Sequence, residues 1–367
     1  MTKSKFLLMV VACCVLAACG PREPLRIGFI GGLSDRNSDV GQSGHNGVVL
    51  AVEQINRAGG INGRLVELVA KDDAQSKEVA EKSARELVEA KVEAVIGPFT
   101  SGVAAAILPV TGPAGLLNIS PTLTGMSFYG KDDTMVRINR TTRDNATDYA
   151  AVMAQRGMRR VAVAFDMRNK AFTTSWLEEF RTAMQARGAT LAAEVPYESA
   201  GDADFAKVVE SMLAGKPDGL LFISGAIDVA RLAKQAKAMA PKLPIVSTEW
   251  AATEQLLELG GTVIDGLLIV QNFNAHDSGE RYVAFRESYF RRFQRNPGYS
   301  SVSAYDAATV LFEALKRRRD SESAKTAVLK YGPYQGLQQT IAFDANGDTA
   351  RQVYFTEVRD GRYQPLP

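Results

Sequence analysis

Residues 25–70 read LRIGFIGGLSDRNSDVGQSGHNGVVLAVEQINRAGGINGRLVELVA. Residues 25–30 form a short, mostly apolar run that predicts a strand. Residues 43–58 carry apolar side chains at helical spacing, which predicts a helix with one buried face. The glycine-rich segment 58–63 ends this helix and turns the chain into a second predicted strand, residues 64–70. A strand, a helix and a strand in this order are typical of a parallel βαβ unit.

The same alternation continues along the chain and starts again after about residue 139. Short apolar runs separate segments with one apolar face, which is typical of a parallel sheet covered by helices on both faces. The sequence therefore predicts the α/β class, with two doubly wound parallel-sheet lobes. In the tail, residues 344–348 predict a hairpin turn between two alternating segments, 340–343 and 352–358. The other predicted strands are 92–96, 116–119, 160–165, 190–196, 219–223, 243–247 and 266–270, and the other predicted helices are 76–90, 102–112, 144–156, 172–187, 204–214, 226–239, 279–294 and 301–317.

Composition and charge exclude one class of partner. The chain has 367 residues, of which 46% are hydrophobic, and this is enough for two buried cores. Lys and Arg number 43 against 41 Asp and Glu, and Lys3 and Lys5 lie in a segment that we expect to be removed. The remaining chain has no positive surplus with which to neutralise a phosphate backbone, so nucleic-acid binding is not expected.

The N-terminus has the pattern of a secretion signal. Lys3 and Lys5 precede an apolar run, residues 6–18, that is shorter than the roughly twenty residues needed to span a bilayer. The run ends in Leu16-Ala17-Ala18-Cys19, which resembles the bacterial lipobox. We predict a lipoprotein signal peptide at 1–18, lipidation of Cys19 and a short tether at 19–24. An ordinary signal peptide cut after Ala18 is the alternative.

The chain lacks the residue patterns that most catalytic and cofactor-binding sites require. The glycines near residue 30 do not follow the GxGxxG spacing, and no GxxxxGK[ST] motif occurs. His45 and His276 are the only histidines, neither lies at metal-ligand spacing from a partner, and no GxSxG segment presents a serine. We therefore expect no enzyme activity, metal or cofactor. An envelope hydrolase that uses one of the two histidines remains an alternative.

Hydroxyl-bearing residues follow two neighbouring predicted strands. Residues 95–102 read VIGPFTSG and run from the end of a strand into a helix, with Ser101 at the helix start. The next strand is followed by Thr122 and Thr124. Ligands bind at the carboxyl ends of parallel strands, and the positive end of a helix attracts a carboxylate. These positions predict an anion site, although Ser101 is equally suited to cap its helix.

Several motifs together resemble a known family. They are AGGINGR at 58–64, IGP at 96–98 with Ser101, ISP at 119–121 with Thr124, KQAK at 234–237 and AYDA at 304–307. The chain is similar, from about residue 25 to 360, to type I periplasmic binding proteins of the leucine/isoleucine/valine-binding family of ABC transporters. The resemblance implies two lobes joined by three crossings near 139–141, 271–274 and 350–352. The lobes would comprise 25–139 with 272–349, and 140–271 with 350–367.

The resemblance also implies a ligand site. Ser101 and Thr124 match residues that bind the α-carboxylate of an amino acid, and the backbone near Thr122 assists. Glu249 matches the acidic residue that takes the α-ammonium, although a solvated loop carboxylate is the alternative for it. The chain departs from the family pattern at Phe172, which stands in the place of a tyrosine, and at Ala226, which stands in the place of an aromatic residue whose space Trp250 is able to fill. Either these two aromatic residues contact the ligand or they only pack the second lobe.

The implied function is binding without catalysis. We expect an extracytoplasmic solute-binding lipoprotein of an ABC importer that captures an amino acid, branched-chain or similar, or a related small carboxylate by hinge closure. The expected partners are this ligand, a permease and ATPase complex, and the membrane through the Cys19 lipid, on the periplasmic side of a bacterial envelope. The protein is expected to act as a monomer. A ligand-sensing or envelope-regulatory lipoprotein of the same fold is the alternative.

Overall fold

The computed structural model describes residues 22–34, 38–199 and 203–366. The predicted signal peptide and Cys19 lie outside the described residues. Arg22–Pro24, the part of the predicted tether that is described, lies against the glycine-rich turn that follows the first helix. The Arg22 guanidinium donates to the Asn62 carbonyl at 2.8 Å, and Arg64 donates to the carbonyls of Glu23 and Pro24. This segment therefore contacts the folded body.

The first lobe is built on a sheet of five parallel strands in the order β2-β1-β3-β4-β5. β3 and β4 are buried along their whole length: β3 is wholly apolar, whereas β4 also buries Asn118 and Ser120. The strands are β1 (Leu25–Gly31), β2 (Val66–Asp72), β3 (Val95–Ile96), β4 (Asn118–Ser120) and β5 (Met135–Arg137), and the helices between them are α1 (Asp39–Arg57), α2 (Lys77–Glu89) and α3 (Ser101–Thr111). The three-residue β5 was not predicted, since Arg137 interrupts its apolar pattern.

The second lobe is built on a sheet of seven strands in the order β14-β13-β10-β9-β8-β6-β7. The strands β6 to β10 are parallel, whereas β13 and β14 join one edge in antiparallel orientation. The strands are β6 (Arg160–Asp166), β7 (Thr190–Tyr197), β8 (Gly219–Ile223), β9 (Ile245–Ser247), β10 (Leu268–Gln271), β13 (Tyr354–Arg359) and β14 (Arg362–Pro365), and the helices are α4 (Thr142–Gln155), α5 (Lys170–Gln185), α6 (Phe205–Ala214), α7 (Ala226–Met239) and α8 (Glu254–Gly260).

The rest of the chain returns to the first lobe between β10 and β13. It forms α9 (Glu280–Phe293), α10 (Tyr299–Arg317), α11 (Ala324–Lys330) and a small ladder of β11 (Tyr334–Gln335) and β12 (Thr340–Ile341). Helix α10 packs along α1 at close range: a Cβ on Gly47 would lie 2.3 Å from the Ser301 carbonyl oxygen. Only glycine permits this approach. The α/β fold class predicted from the sequence is confirmed.

The predicted hairpin at residues 344–348 is wrong. The strands on either side, β12 and β13, lie in different sheets. The turn instead lies beside β5, where the Arg137 backbone N–H donates to the Gly347 carbonyl at 2.9 Å and the buried Arg137 guanidinium binds Asp348 at 2.8 Å. A local turn signal does not show which strands it joins, because strand pairing depends on distant residues.

The chain leaves the five-stranded sheet after β5 to form the seven-stranded sheet, leaves that sheet after β10, and rejoins it after β12; we call these three connections passages. The first passage ends at Thr141, whose hydroxyl accepts from the Asp144 N–H at 3.1 Å and caps α4. Such passages place the carboxyl ends of both sheets on either side of one cleft. Of the described helices, none combines the length and apolar character that crossing a membrane requires.

Candidate functional site

A cavity lies in the cleft between the two lobes. Its empty volume is about 370 Å³, part of which is open to solvent. Residues that follow β3 and β4 form the wall on the first lobe, and residues of α5 and the turn after β9 form the wall on the second. All the ligand residues predicted from the sequence line this one cavity: Ser101, Thr122, Thr124, Phe172, Glu249 and Trp250.

The first-lobe wall presents the N-terminus of α3. Ser101 is the first residue of the helix and Thr100 occupies the capping position, yet no side chain accepts a hydrogen bond there. Ser101 therefore does not cap its helix. Ser101, whose side chain is buried, lines the cavity together with Thr100, and the first N–H groups of a helix have no partner within the helix. This arrangement provides donors and a partial positive charge for an anionic group.

The two threonines beside this helix differ in what they can offer a ligand. The Thr122 hydroxyl donates to the Phe99 carbonyl at 2.5 Å, so its hydrogen is already used. The Thr142 hydroxyl donates to the Thr124 carbonyl at 2.9 Å and lies 3.1 Å from the Thr124 hydroxyl oxygen. The Thr124 hydroxyl has no carbonyl acceptor of its own among the described residues, in contrast to that of Thr122. Thr142 begins α4, so this contact also joins the first passage to the first lobe.

The second-lobe wall presents a buried carboxylate. Glu249, which is 4% exposed, lies in a single 3-10 turn after β9. Asn145 donates to one of its carboxylate oxygens at 2.8 Å, and the Trp176 indole N–H lies 3.3 Å from the other. Among the described residues, no lysine, arginine or histidine forms an ion pair with it. Burial raises the pKa of the Glu249 carboxyl, and the hydrogen bonds and the charge of Arg140 oppose the rise.

Asn145 and Trp176 were not identified from the sequence. They lie on α4 and α5, and Tyr149, one turn after Asn145, packs edge-on against Trp176 with ring centroids 5.2 Å apart. The Tyr149 hydroxyl donates to the Ser247 carbonyl at 2.8 Å and fixes the end of β9. The only sequence signal was a polar Asn145 on the buried face of a predicted helix. These residues hold the Glu249 carboxylate in place.

Aromatic rings close the cavity. Phe172 and Trp250 pack edge to face with centroids 5.8 Å apart, and the Tyr299 hydroxyl donates to the Trp250 carbonyl at 3.4 Å. Tyr299 begins α10 in the first lobe, so this bond spans the cleft. Phe172 and Trp250 therefore pack against each other and also line the cavity.

The two lobes touch along the rim of the cavity. The Met126 N–H in the first lobe donates to the Ser175 hydroxyl in the second at 3.3 Å. Gly102 lies against Asn169, so that a Cβ on Gly102 would be 3.0 Å from the Asn169 side-chain oxygen. The lack of a side chain on Gly102 therefore allows close contact with Asn169, which directly precedes α5. The structure has the lobes in contact around the cavity.

A further contact between the lobes involves carboxylates. Glu254, at the start of α8, packs against Gly298, which precedes α10 in the first lobe: a Cβ on Gly298 would lie 2.3 Å from a Glu254 carboxylate oxygen. Burial, together with the nearby carboxylates of Asp39 and Glu258, raises the pKa of Glu254 to about 7. Between pH 4.5 and about 7 this interface retains a proton that the separated groups would release.

We expect Glu254→Gln to stabilise the protein above pH 7 and to have little effect near pH 4.5. The folded wild type binds a proton that the unfolded chain releases between pH 4.5 and about 7, so its free energy of unfolding falls as the pH rises through this window. The full pKa shift of Glu254 corresponds to about 3 kcal/mol of unfolding free energy. Because the Glu254 side chain is partly exposed, we expect a difference of about 2 kcal/mol. Urea unfolding at pH 5 and pH 8 measures the difference. Glu89→Gln, an exposed carboxylate on α2, is the control, and an equal effect of Glu254→Gln at both pH values contradicts the prediction.

The histidines lie away from this cavity. His45 packs edge-on against Phe29, with ring centroids 5.0 Å apart, and burial lowers its pKa. His276 is exposed beside the Tyr363 carbonyl. In residues 22–34, 38–199 and 203–366 there is no group of three or more His, Cys, Asp or Glu side chains that could hold a metal ion.

One lobe presents a helix terminus and the other presents a buried carboxylate, and both lie at one cavity between two α/β lobes. This arrangement defines a two-lobed binding protein. Comparison with known proteins supports this class of protein. Residues 24–362 match the family described as periplasmic binding protein. The Leu/Ile/Val-binding protein homolog 3 of Brucella melitensis is 25% identical over 332 residues, 88% of each chain.

Two solved structures share the fold. The leucine binding protein LivK from Thermotoga maritima aligns with a TM-score of 0.86 and 23% identity, covering 94% of this chain and 98% of that one. The branched-chain amino acid transporter substrate binding protein LivJ from Streptococcus pneumoniae, in complex with isoleucine, aligns with a TM-score of 0.84 and 23% identity, covering 94% and 99%. The chain belongs to the periplasmic binding protein family, whose members bind solutes and are not enzymes. The resemblance inferred from the sequence motifs is thereby confirmed.

Proposed function

We propose that the protein binds an α-amino acid in the cavity between its lobes and delivers it to an ABC importer. The observation that carries the proposal is the buried Glu249 carboxylate, which has no cationic partner among the described residues and lines the same cavity as the α3 N-terminus. A buried charge is stable only when it is paired. A zwitterion supplies an ammonium for Glu249 and a carboxylate for the helix terminus. The binding activities named for the relatives support this choice.

Binding would proceed in two steps. The ligand carboxylate first meets the donors of the first lobe, which are the N–H groups at the start of α3 and the hydroxyls of Ser101 and Thr124. The lobes then close about the three passages, and Glu249 and the aromatic wall complete the site. The ligand contacts both lobes only in the closed state, so its binding energy favours closure. A membrane permease would recognise that closed state.

The test compares one amino acid with two analogues that each lack one charged group. Leucine, its amine isopentylamine and its deaminated acid 4-methylpentanoate differ only at the groups that the cavity is proposed to read. Both tryptophans of the chain, Trp176 and Trp250, contact the site, so their fluorescence reports binding directly. We expect a response to an amino acid and a loss of at least tenfold in affinity for either analogue. Equal binding of the amine-free acid would exclude the ammonium site, and the absence of binding by every amino acid would reject the proposal.

We further propose an envelope location with a lipid on Cys19. Membership of the family implies an extracytoplasmic, periplasmic location, and the lipobox-like Leu16-Ala17-Ala18-Cys19 supports the anchor. One acyl chain alone binds a membrane weakly, but a multiply acylated cysteine holds it firmly. Cys19→Ala should therefore move the protein from the membrane fraction to the soluble fraction. Unchanged membrane association would reject the lipid anchor.

A further inference from the structure

Three asparagines line the cavity with side-chain atoms that have no hydrogen-bond partner among the described residues. These atoms are Nδ2 of Asn139, Oδ1 of Asn169 and both Nδ2 and Oδ1 of Asn272. The three residues are only 2%, 7% and 4% exposed, respectively. A buried polar atom without a partner costs stability, and native structures rarely leave one unsatisfied without a reason. The cavity therefore presents hydrogen-bonding capacity that the protein itself does not use.

Two of these amides lie apart in sequence from the groups assigned to the zwitterion. Asn139 follows β5 and Asn272 follows β10, so both lie on passages between the lobes. The carboxylate is assigned to the α3 terminus with Ser101 and Thr124, and the ammonium is assigned to Glu249. The Asn139 side-chain oxygen already accepts from the Arg140 N–H at 3.0 Å, which leaves its NH₂ group for a ligand. Together the two amides provide donors and an acceptor for a further ligand group.

The charge of the cavity indicates that this further group is neutral. Glu249 is the only acidic side chain among the described residues that line the cavity, and no Lys, Arg or His lines it. A zwitterion already balances Glu249 and the helix terminus. An additional charge on the ligand would be buried without a counter-charge, which is costly. The rings of Phe99, Phe172, Trp250 and Tyr299 also limit the size of the side chain.

We infer that the ligand is an α-amino acid whose side chain is neutral and forms hydrogen bonds, through an amide or a hydroxyl, and that Asn139 and Asn272 select it. This inference rests on the proposed function and refines its ligand class. A site built to hydrogen-bond a polar group rejects the analogue that lacks it, because its own buried amides then stay unpaired. Purely apolar side chains of the same shape are therefore disfavoured.

Two matched ligand pairs test the inference on the purified protein. Asparagine and leucine have similar shapes, as do threonine and valine, and the members of each pair differ in hydrogen bonding. Titration by tryptophan fluorescence should show the polar member binding at least about tenfold more tightly in both pairs. Asn272→Leu and Asn139→Leu should each reduce this ratio, and the double variant should reverse it. The exposed Asn296→Leu, outside the cavity, should leave the ratio unchanged.

Each outcome has a definite meaning. Tighter binding of leucine and valine by the wild type overturns the inference and leaves the proposed amino-acid function intact. A polar preference that survives in the double variant overturns the role of the two asparagines. If no amino acid binds, the proposed function itself fails, together with the inference. The ratio of two ligands on one variant does not depend on how much of that variant is folded, so a loss of stability cannot imitate the expected result.

Discussion

Glu249→Gln is expected to weaken amino-acid binding by about 2–5 kcal/mol, which raises the dissociation constant from about 30-fold to several thousand-fold. Glutamine has the shape of glutamate and keeps an oxygen that can accept from Asn145, now at 2.8 Å from the carboxylate. The substitution therefore removes the charge and retains the packing. In the wild type the ligand ammonium meets a buried carboxylate, whereas in the variant it is buried against a neutral amide. Isothermal titration of wild type and variant with the same amino acid measures the loss.

Two controls separate this effect from general damage. Glu258→Gln changes an exposed carboxylate on α8, outside the cavity, and should leave the affinity unchanged. An amine-free acid does not need the charge, so Glu249→Gln should bind it as well as the wild type does or better.

The pH dependence of the affinity gives a further signature. Because burial raises the pKa of Glu249 and a bound ammonium lowers it, wild-type affinity should fall as the pH decreases, and the variant should lack this dependence. Equal affinity of both proteins for an amino acid would remove Glu249 from the site.

Arg351→Leu is expected to lower the free energy of unfolding by about 3–5 kcal/mol. Arg351 donates to Asp306 at 2.8 Å, and the two side chains are 3% and 0% exposed. Asp306 lies on α10, and Arg351 lies on the third passage, just before β13. Without its partner, Asp306 is a buried charge whose one remaining hydrogen bond among the described residues comes from the Leu337 N–H at 2.8 Å. Urea unfolding followed by circular dichroism measures the change.

The matched control removes both charges. Asp306→Asn combined with Arg351→Leu leaves an amide that can still accept from Leu337, so no unpaired charge stays buried. We expect the double variant to be more stable than Arg351→Leu alone, which gives a clear departure from additivity. Arg359→Leu, an exposed arginine on β13, should cost less than about 1 kcal/mol. Strictly additive losses at positions 306 and 351 would show that the pair is not coupled.

The pair also explains one of the family motifs. The sequence identified AYDA at 304–307 as part of a resemblance, without a role for Asp306. The structure assigns its partner, which lies 45 residues away in sequence. An ion pair between such distant residues cannot be predicted from spacing, since nothing local distinguishes Arg351 from any other arginine.

The residues of the candidate site could be predicted from the sequence where they come shortly after the end of a strand. Ser101, Thr122 and Thr124 come directly after β3 and β4, and the carboxyl ends of parallel strands meet at one edge of a sheet. Glu249 follows β9 in the same way, although its role came from the family resemblance. Asn145 and Trp176 escaped prediction because they act through their orientation towards Glu249 from two helices. Asn139 and Asn272 escaped because a short polar residue between two elements resembles any loop residue.

The sequence by itself determined the α/β class, the order of most strands and helices, and the family, since these depend on local periodicity, on glycine-rich turns and on short motifs. Only the tertiary structure decided which strands pair at the sheet edges, which placed β13 beside β10 and excluded the predicted hairpin. It also decided which polar side chains face one another across the cleft. The physical reason is that periodicity reports whether a residue is buried, whereas its partner depends on the packing of segments that are distant in sequence.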